Sequence, residues 1–321
     1  MIIDRVAFDQ HLFEKAKNAG ADILLSSKVI DINPEDGIVL YNNSEGEKEI
    51  KSKIIVGADG PKSLVSQKIG NEFKAYNASQ YLVKVNGIDE MSFVDLYPKG
   101  ELWPGFLWCI PAYRNIFRIG LYSNKDYKRQ DEILDDFLEN EFRYDDYEVL
   151  EKYKGLIPIH DDDKKLVKDR ILLIGDAASQ VKPTTGGGLL IGFEAVGMAK
   201  KAIVNALNSE DFNSLNLEKE THDDKEILQN CLKSYQKDFE ERFIKEFSYQ
   251  FKVQKTLCTL SDDDLDYFFE KLKEKEADKL ISEYGDMDNQ STLVKEFLKR
   301  GLVLSLLPAI HKKELAKIWL L

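Results

Sequence analysis

The spacing of apolar and polar residues predicts one helix followed by several strands at the start of the chain. Phe8, Leu12, Phe13 and Ala16 recur at the spacing of one helix face, and Gly20 marks the end of that helix. Short apolar runs then alternate with turns rich in Pro, Asp and Gly. They predict strands at 21–25, 28–32, 37–41 and 50–56.

The pattern changes between residues 76 and 122, where aromatic residues become frequent. The strand-like stretches 80–86 and 115–122 indicate an antiparallel sheet that forms a layer of its own. A helix is predicted at 131–140.

The second half of the chain is predicted to be mostly helical. Its one strand, 170–174, is a continuous apolar run typical of a buried parallel position. The polar segment 208–224 is predicted to be a loop. Helices are predicted at 189–207, at 231–257, from an N-cap at Ser261, and along the apolar tail 293–321.

Composition favours a soluble protein of more than one domain and argues against a nucleic-acid-binding protein. Apolar residues make up 43% of the 321 residues and charged residues 32%, which suits a soluble protein of two or three domains. The net charge of −12 argues against nucleic-acid binding, which needs clustered Lys and Arg. Cys109, Cys231 and Cys258 show no metal-binding spacing, and we expect a cytoplasmic protein without a membrane-spanning segment.

The most specific motif joins the strand 170–174 to the helix that begins at Leu189. It contains Gly175-Asp176-Ala177-Ala178, then Pro183, then Gly186-Gly187-Gly188. An acid at a strand end can accept hydrogen bonds from a polyol, and glycines allow close backbone approach to a flat ligand. The helix N-terminus would stabilise negative charge on that ligand. The alternative is a turn that only packs a strand on a helix.

Two further segments contain candidate ligand-binding residues. The strand at 50–56 runs into Gly57-Ala58-Asp59-Gly60, which is either a second ligand-binding turn or a tight strand-to-helix turn. Arg5 precedes Phe8-Asp9 at the start of the first helix, where it is either a ligand contact or a surface charge.

A fourth segment, 103–111, is unusually aromatic. Trp103, Phe106, Trp108 and Pro111 could form the wall of an apolar pocket, although ordinary core packing of a sheet explains them nearly as well. Cys109 lies among them without a neighbour that would lower its pKa.

Taken together, these segments resemble the geranylgeranyl reductase family, FAD-dependent oxidoreductases of the glutathione-reductase-like superfamily. The resemblance extends through the C-terminal helices to Gly285-Asp286-Met287-Asp288. It implies an α/β fold, α+β overall: an FAD-binding Rossmann-like domain at 1–70 and 160–215, an antiparallel substrate-binding domain at 71–159, and a helical region at 216–321. The residues it implies for FAD binding are Arg5, Gly57, Asp59, Gly60, Gly175, Asp176, Gly186, Gly187, Gly188 and Leu189.

The resemblance also implies the activity. Such a protein would reduce carbon–carbon double bonds in isoprenoid chains, such as the geranylgeranyl groups of archaeal-type ether lipids, with electrons from ferredoxin or NAD(P)H. Trp103, Phe106, Trp108 and Pro111 would bind the chain. The alternatives are a related flavin monooxygenase and a binding subunit that holds no flavin. No metal is expected, and no proton donor can be named.

The family also opens with a strand and a Gly-x-Gly-x-x-Gly turn that binds the FAD diphosphate, and this sequence contains no such turn. That strand is expected to pair with residues 171–174. The turn is expected to come from a second polypeptide or from a longer form of this one; the alternative is a remnant that has lost the activity. The tail 302–321 suggests either peripheral membrane contact or, more simply, a packed helix.

Overall fold

The computed structural model describes residues 3–87, 93–208, 222–308, 311 and 317–319. The strands are β1 Lys28–Asn33, β2 Ile38–Asn43, β3 Gly46–Lys51, β4 Ile55–Gly57, β5 Ala75–Val85, β6 Asp95–Tyr97, β7 Leu107–Tyr113, β8 Ile116–Ser123, β9 Tyr147–Pro158, β10 Val167–Lys168 and β11 Ile171–Leu173. The helices are α1 Arg5–Asn18, α2 Leu64–Lys68, α3 Tyr127–Asn140, α4 Leu189–Asn208, α5 His222–Leu257, α6 Asp262–Glu274, α7 Ala277–Tyr284, α8 Ser291–Lys299 and α9 Leu302–Ser305.

Helix α1 forms where the sequence predicts it, but its apolar residues lie at the surface. The Asp4 carboxylate caps its first turn, and Gly20 follows its end at φ +92°. No residue of α1 is buried. The predicted strand 21–25 is wrong: these residues are exposed and pair with no strand in the described part of the chain.

Strands β1, β2 and β3 form a small antiparallel sheet in that order. The single strand predicted at 50–56 is in fact two strands. Lys51 ends β3, Ser52 donates its backbone N–H to the Gly37 carbonyl at 2.8 Å, and β4 begins at Ile55. Buried Arg170 links this sheet to the next, because its guanidinium donates to the carbonyls of Glu35 and Lys53.

The second sheet has the order β10-β11-β4. Strand β11 is parallel to β4, and on its other edge it is antiparallel to β10. The expectation that a further strand pairs with residues 171–174 is therefore wrong, since both edges of β11 are occupied. The outer strands β10 and β4 each keep one edge that no described strand pairs with, and Val56 of β4 is 43% exposed.

The third sheet is antiparallel, as predicted, with the order β6-β7-β8-β5-β9. Helix α3 covers one of its faces. Its buried residues Ile133, Leu134 and Phe137 pack with alternate residues of β5, β7 and β8. The opposite face carries aromatic side chains, of which Trp108 is partly buried and Tyr122 fully buried.

A second core surrounds β4 and β11. Helix α4 buries a stripe of small residues there: Ala195, Ala199, Ala202 and Ala206. The close packing that alanines permit brings α5 against α4, and α5 contributes Tyr235, Phe239, Phe243 and Phe247 to the same core. The part of α5 from Leu228 to Phe247 thus packs in the same core as β11.

The C-terminal region is helical, as predicted, but is broken into short helices. Ser261 and Asp264 form a capping box at the start of α6. Residues 222–224, predicted as loop, belong to α5, and 209–221 lie outside the described residues. In the tail, Leu306 and Leu307 are buried beside α6, so its described part packs as a core element. No described helix is long and apolar enough to cross a bilayer.

Candidate functional site

A buried hydrogen-bond chain fixes the turn that follows β11. The Gly175 N–H donates to the side-chain carbonyl of Gln180 at 2.8 Å, and the Gln180 amide donates to the Tyr235 hydroxyl at 2.6 Å. Tyr235 in turn donates to the Leu173 carbonyl at 2.8 Å. Gln180 and Tyr235 are both completely buried, and burial raises the pKa of the Tyr235 phenol. The turn is therefore anchored to α5, a contact that no local motif indicated.

Ser179 closes the same turn in the left-handed region, at φ +53°. Two side chains bind it there. The His160 Nδ1 lies 2.9 Å from the Ser179 carbonyl, and the Lys164 ammonium donates to the Ser179 hydroxyl at 2.7 Å. Burial lowers the pKa of Lys164. A non-glycine residue at positive φ is costly, so these contacts help to hold an otherwise unfavourable backbone conformation.

The Gly-rich loop is closed on itself just before α4. The Gly186 N–H donates to the Lys182 carbonyl at 2.9 Å, and the Lys182 N–H donates to the Gly187 carbonyl at 3.0 Å. Gly186 has φ +68°, and a Cβ there would lie 2.6 Å from Ile157 Cγ2. Glycine is thus required at this position both by the backbone and by the neighbouring strand β9.

A cavity of about 870 Å³ opens between this loop, α1 and the first turn of α4. Eight of the ten predicted cofactor-binding residues line it: Arg5, Gly60, Gly175, Asp176, Gly186, Gly187, Gly188 and Leu189. Burial raises the pKa of the Asp176 carboxyl, while Arg5 acts in the opposite direction. No described donor hydrogen-bonds the Asp176 side chain, so its oxygens can accept hydrogen bonds from a ligand.

Gly57 and Asp59 do not line this cavity. The Asp59 carboxylate accepts hydrogen bonds from the Ser63 hydroxyl at 2.5 Å and the Leu64 N–H at 2.8 Å. It thus satisfies the N-terminus of α2. A Cβ on Gly57 would lie 2.6 Å from Leu173 Cδ2, so this glycine permits close packing of β4. In this structure both residues serve the strand-to-helix turn.

The four predicted substrate-binding residues lie in three different places. Phe106 and Trp108 are on the face of the third sheet opposite α3, with their ring centroids 6.2 Å apart. Pro111 is buried, at a position that alternates with Trp108 and so belongs to the α3 side. Trp103 donates its indole N–H to the Leu260 carbonyl at 2.9 Å, and so joins the C-terminal region.

Cys109 is also buried on the α3 side of β7. Burial raises the pKa of its thiol to about 12. A thiol in this state has almost no thiolate near neutral pH, so Cys109 is a core residue and not a reactive one.

Sequence reasoning did not single out two charged residues that line the cavity. Lys182 belongs to the Gly-rich loop, and Asp288 reaches the cavity from the segment between α7 and α8. Their side chains form an ion pair with a distance of 2.6 Å between Nζ and Oδ1. Because 106 residues separate them, no local pattern could have predicted the contact.

Comparisons with known proteins identify an FAD-binding family and distant homologues among lipid reductases. The family model described as FAD binding domain matches residues 2–210. A digeranylgeranylglycerophospholipid reductase from Methanococcoides burtonii is 27% identical over 292 residues, which are 87% of this chain and 67% of that protein. Its counterpart from Methanosarcina acetivorans is also 27% identical, over 85% of this chain and 66% of its own length. The chain is thus a distant homologue of these reductases and spans about two thirds of their length.

Solved structures show the same fold. A geranylgeranyl bacteriochlorophyll reductase-like protein from Thermoplasma acidophilum has a TM-score of 0.74 at 22% identity, over 98% of this chain and 75% of its own. A flavin-dependent halogenase has a TM-score of 0.58 at 18% identity, over 80% of this chain and 47% of its own. At these identities the likeness is one of fold alone.

The described residues fit part of an FAD molecule. Ligand sites commonly have volumes of about 300–1,000 Å³, a range that includes this cavity. A Cβ on Gly187 would lie 3.1 Å from Lys182 Cε, so a side chain would narrow the site where glycine leaves the backbone accessible. Asp176 and the first turn of α4 suit the ribityl chain and the ring. The cavity's two cations, Arg5 and Lys182, are each paired with a carboxylate, Asp9 and Asp288.

Proposed function

This chain belongs to the FAD-binding domain family, and we propose that it reduces carbon–carbon double bonds of isoprenoid chains in an FAD-dependent reaction. The observation that carries the proposal is the cavity at the end of β11, which brings together residues from α1, from the turn after β4 and from the Gly-rich loop. The substrate class rests on the names of the homologous reductases, and the geranylgeranyl chains of ether lipids are its proposed form.

Each part of the cavity has a proposed role. Reduced FAD supplies hydride chemistry when bound. Asp176 would accept hydrogen bonds from ribityl hydroxyl groups, because its own carboxylate has no described donor. The backbone of Gly186–Gly188 and the N-terminus of α4 would stabilise negative charge on the ring through preorganised dipoles.

We place the isoprenoid chain against the open face of the third sheet. Phe106 and Trp108 are partly exposed there, and the buried ring of Tyr122 packs against Phe106 with 5.2 Å between the ring centroids. Tyr122 also donates a hydrogen bond to the Thr184 carbonyl, which connects this face to the Gly-rich loop. Trp103 and Pro111 lie outside this surface, so the proposal retains only Phe106 and Trp108 of the four predicted residues.

We propose that a further segment binds the diphosphate half of FAD and adds a strand to the open edge of β4. Val56, an exposed apolar residue, belongs to that strand. An unpaired strand edge beside apolar side chains favours pairing with another strand. The segment would be either more of this polypeptide or a second chain. The other proposed partners are an electron donor and a lipid membrane that the protein contacts at its surface.

Flavin binding is the first test. The purified protein is mixed with FAD, FMN or riboflavin, the free flavin is removed, and the visible spectrum is recorded. We expect all three to bind and Asp176→Asn to weaken each by about ten- to a hundredfold, since hydrogen bonds to a charged group contribute about 1.5–3 kcal/mol. Asp145→Asn, an exposed residue outside the cavity, is the matched control. A protein that retains none of the three flavins contradicts the proposal.

The second test is turnover. The flavin-loaded protein, reduced chemically under anaerobic conditions, is incubated with a geranylgeranyl ether lipid, and the product is analysed by mass spectrometry. We expect two hydrogen atoms to be added for each double bond reduced. An unchanged lipid in this assay, together with oxygen uptake driven by NAD(P)H in a separate aerobic assay, would identify a monooxygenase instead.

A further inference from the structure

Lys182 is the more enclosed of the two cationic side chains that line the cavity. Its side chain is 11% exposed, whereas that of Arg5 is 62% exposed and lies on α1. The Lys182 ammonium would be 3.4 Å from a Cβ built on Gly187, so it sits directly beside the Gly-rich loop. A charge in this position interacts with any ligand that contacts the loop.

Asp288 is held in place against Lys182 by its own segment. The Asp286 carboxylate accepts the backbone N–H groups of Asp288 and Asn289 at 2.8 and 3.3 Å. The Thr184 hydroxyl of the Gly-rich loop donates to the Gln290 side chain at 3.0 Å. The Lys182–Asp288 pair is therefore a fixed feature of the cavity wall and connects it to the C-terminal region.

The charges that line the cavity determine how the Lys182–Asp288 pair would affect a bound flavin. Its lining carries the carboxylates Asp9, Asp176 and Asp288 and the cations Arg5 and Lys182, which leaves a net charge of −1 with all five groups ionised. A flavin ring gains negative charge when it is reduced, and a net negative cavity opposes that change. Lys182 is the enclosed group that can offset it.

We propose that Lys182 makes this protein bind reduced flavin more tightly relative to oxidised flavin, and that Asp288 moderates this effect by partly neutralising the ammonium. The proposal rests on the proposed flavin site and adds to it a residue that sets the reduction potential. It gives the C-terminal region, through Asp288, a direct influence on the redox chemistry of the cavity.

Two substitutions with opposite expected effects test the proposal. Lys182→Gln removes the cation, and Asp288→Asn removes the anion that neutralises it. We expect Lys182→Gln to lower the reduced-to-oxidised affinity ratio about tenfold, which lowers the midpoint potential of the bound flavin by about 30 mV for a two-electron couple. Asp288→Asn should raise the midpoint potential. The potentials are measured by equilibration with reference dyes, with bound FMN as the probe.

Controls separate this effect from damage to the fold. Lys182→Arg keeps the charge and should keep the potential of the wild-type protein. Lys200→Gln removes an exposed cation of α4 that does not line the cavity, and should leave the potential unchanged. Circular dichroism confirms that each variant is folded.

The outcomes are distinct. If Lys182 and Asp288 form only a structural ion pair, both substitutions break the same contact, and their effects on the potential have the same sign or are absent. Either result overturns this inference while leaving the flavin site intact. A wild-type protein that binds no flavin overturns the proposed function, and this inference falls with it.

Discussion

Substitution of Gly186 by alanine tests the geometry of the Gly-rich loop directly. Gly186 has φ +68°, and the left-handed conformation costs a residue with a side chain about 1–2 kcal/mol. The new Cβ would also lie 2.6 Å from Ile157 Cγ2, and such overpacking typically costs about 1–3 kcal/mol. We therefore expect Gly186→Ala to lower the free energy of unfolding by about 2–5 kcal/mol in total.

Thermal unfolding followed by circular dichroism measures this loss. At about 2–4 °C per kcal/mol for a domain of moderate size, the expected fall in Tm is roughly 4–20 °C. Gly197→Ala is the matched control, because Gly197 lies in α4 and a Cβ there would meet nothing within 4 Å. Since alanine is the better helix former by about 1 kcal/mol, the control should be slightly more stable than the wild-type protein.

A double-mutant cycle separates the two contributions. Ile157→Ala removes Cγ2 and Cδ1, the two atoms nearest the clash, and should recover the steric part of the loss but not the backbone part. If the two substitutions simply add, Ile157 does not cause the loss. If Gly186→Ala is as stable as the wild-type protein, the loop does not have the described conformation.

Two further predictions concern the residues around the turn. Tyr235→Phe removes the hydroxyl that the buried Leu173 carbonyl and the Gln180 amide bind, and should lower the free energy of unfolding by about 1–3 kcal/mol, measured by denaturant unfolding. The control Tyr267→Phe, on the surface of α6, should lower it little. Equal losses in the two variants would contradict the hydrogen-bond chain. Burial raises the pKa of the Asp176 carboxyl above its unfolded value of about 3.9, so ionisation of this group destabilises the folded state. The stability contributed by the protonated carboxyl is fully present below the unfolded pKa and is lost as the pH rises through the folded pKa. Asp176→Asn should thus make the flavin-free protein more stable at pH 7, by a margin in Tm that shrinks toward acid pH, and a margin independent of pH would contradict this.

The elements predicted best are those specified by neighbouring residues. The capping box of Ser261 and Asp264 is complete within four residues, and α6 begins where it was predicted. The buried strand at 171–173 follows from its own apolar run, and the antiparallel sheet from its aromatic strands. In each case the physical cause lies within one turn of helix or one strand, so the sequence displays it.

The failures involve partners that are distant in sequence. Residues 21–25 have the composition of a strand, but a strand needs a neighbour, and no described strand lies beside them. The spacing of Phe8, Leu12 and Phe13 predicts a helix correctly, yet it does not show what the apolar face packs against. The same limit explains Lys182 and Asp288, since only the fold brings residues 106 positions apart into contact.

The two Gly-Asp turns show how similar motifs acquire different roles. Both follow a parallel strand of the second sheet, at Asp59 and at Asp176. After Asp59 the helix α2 begins at Leu64, so the Asp59 carboxylate is close enough to accept hydrogen bonds from the first N–H groups of that helix and acts as its cap. After Asp176 the helix α4 begins only at Leu189, and the intervening loop turns away to form the cavity wall. The distance from the acid to the next helix, which can be read from the sequence once both helices are predicted, therefore distinguishes a capping acid from one that is free to bind a ligand.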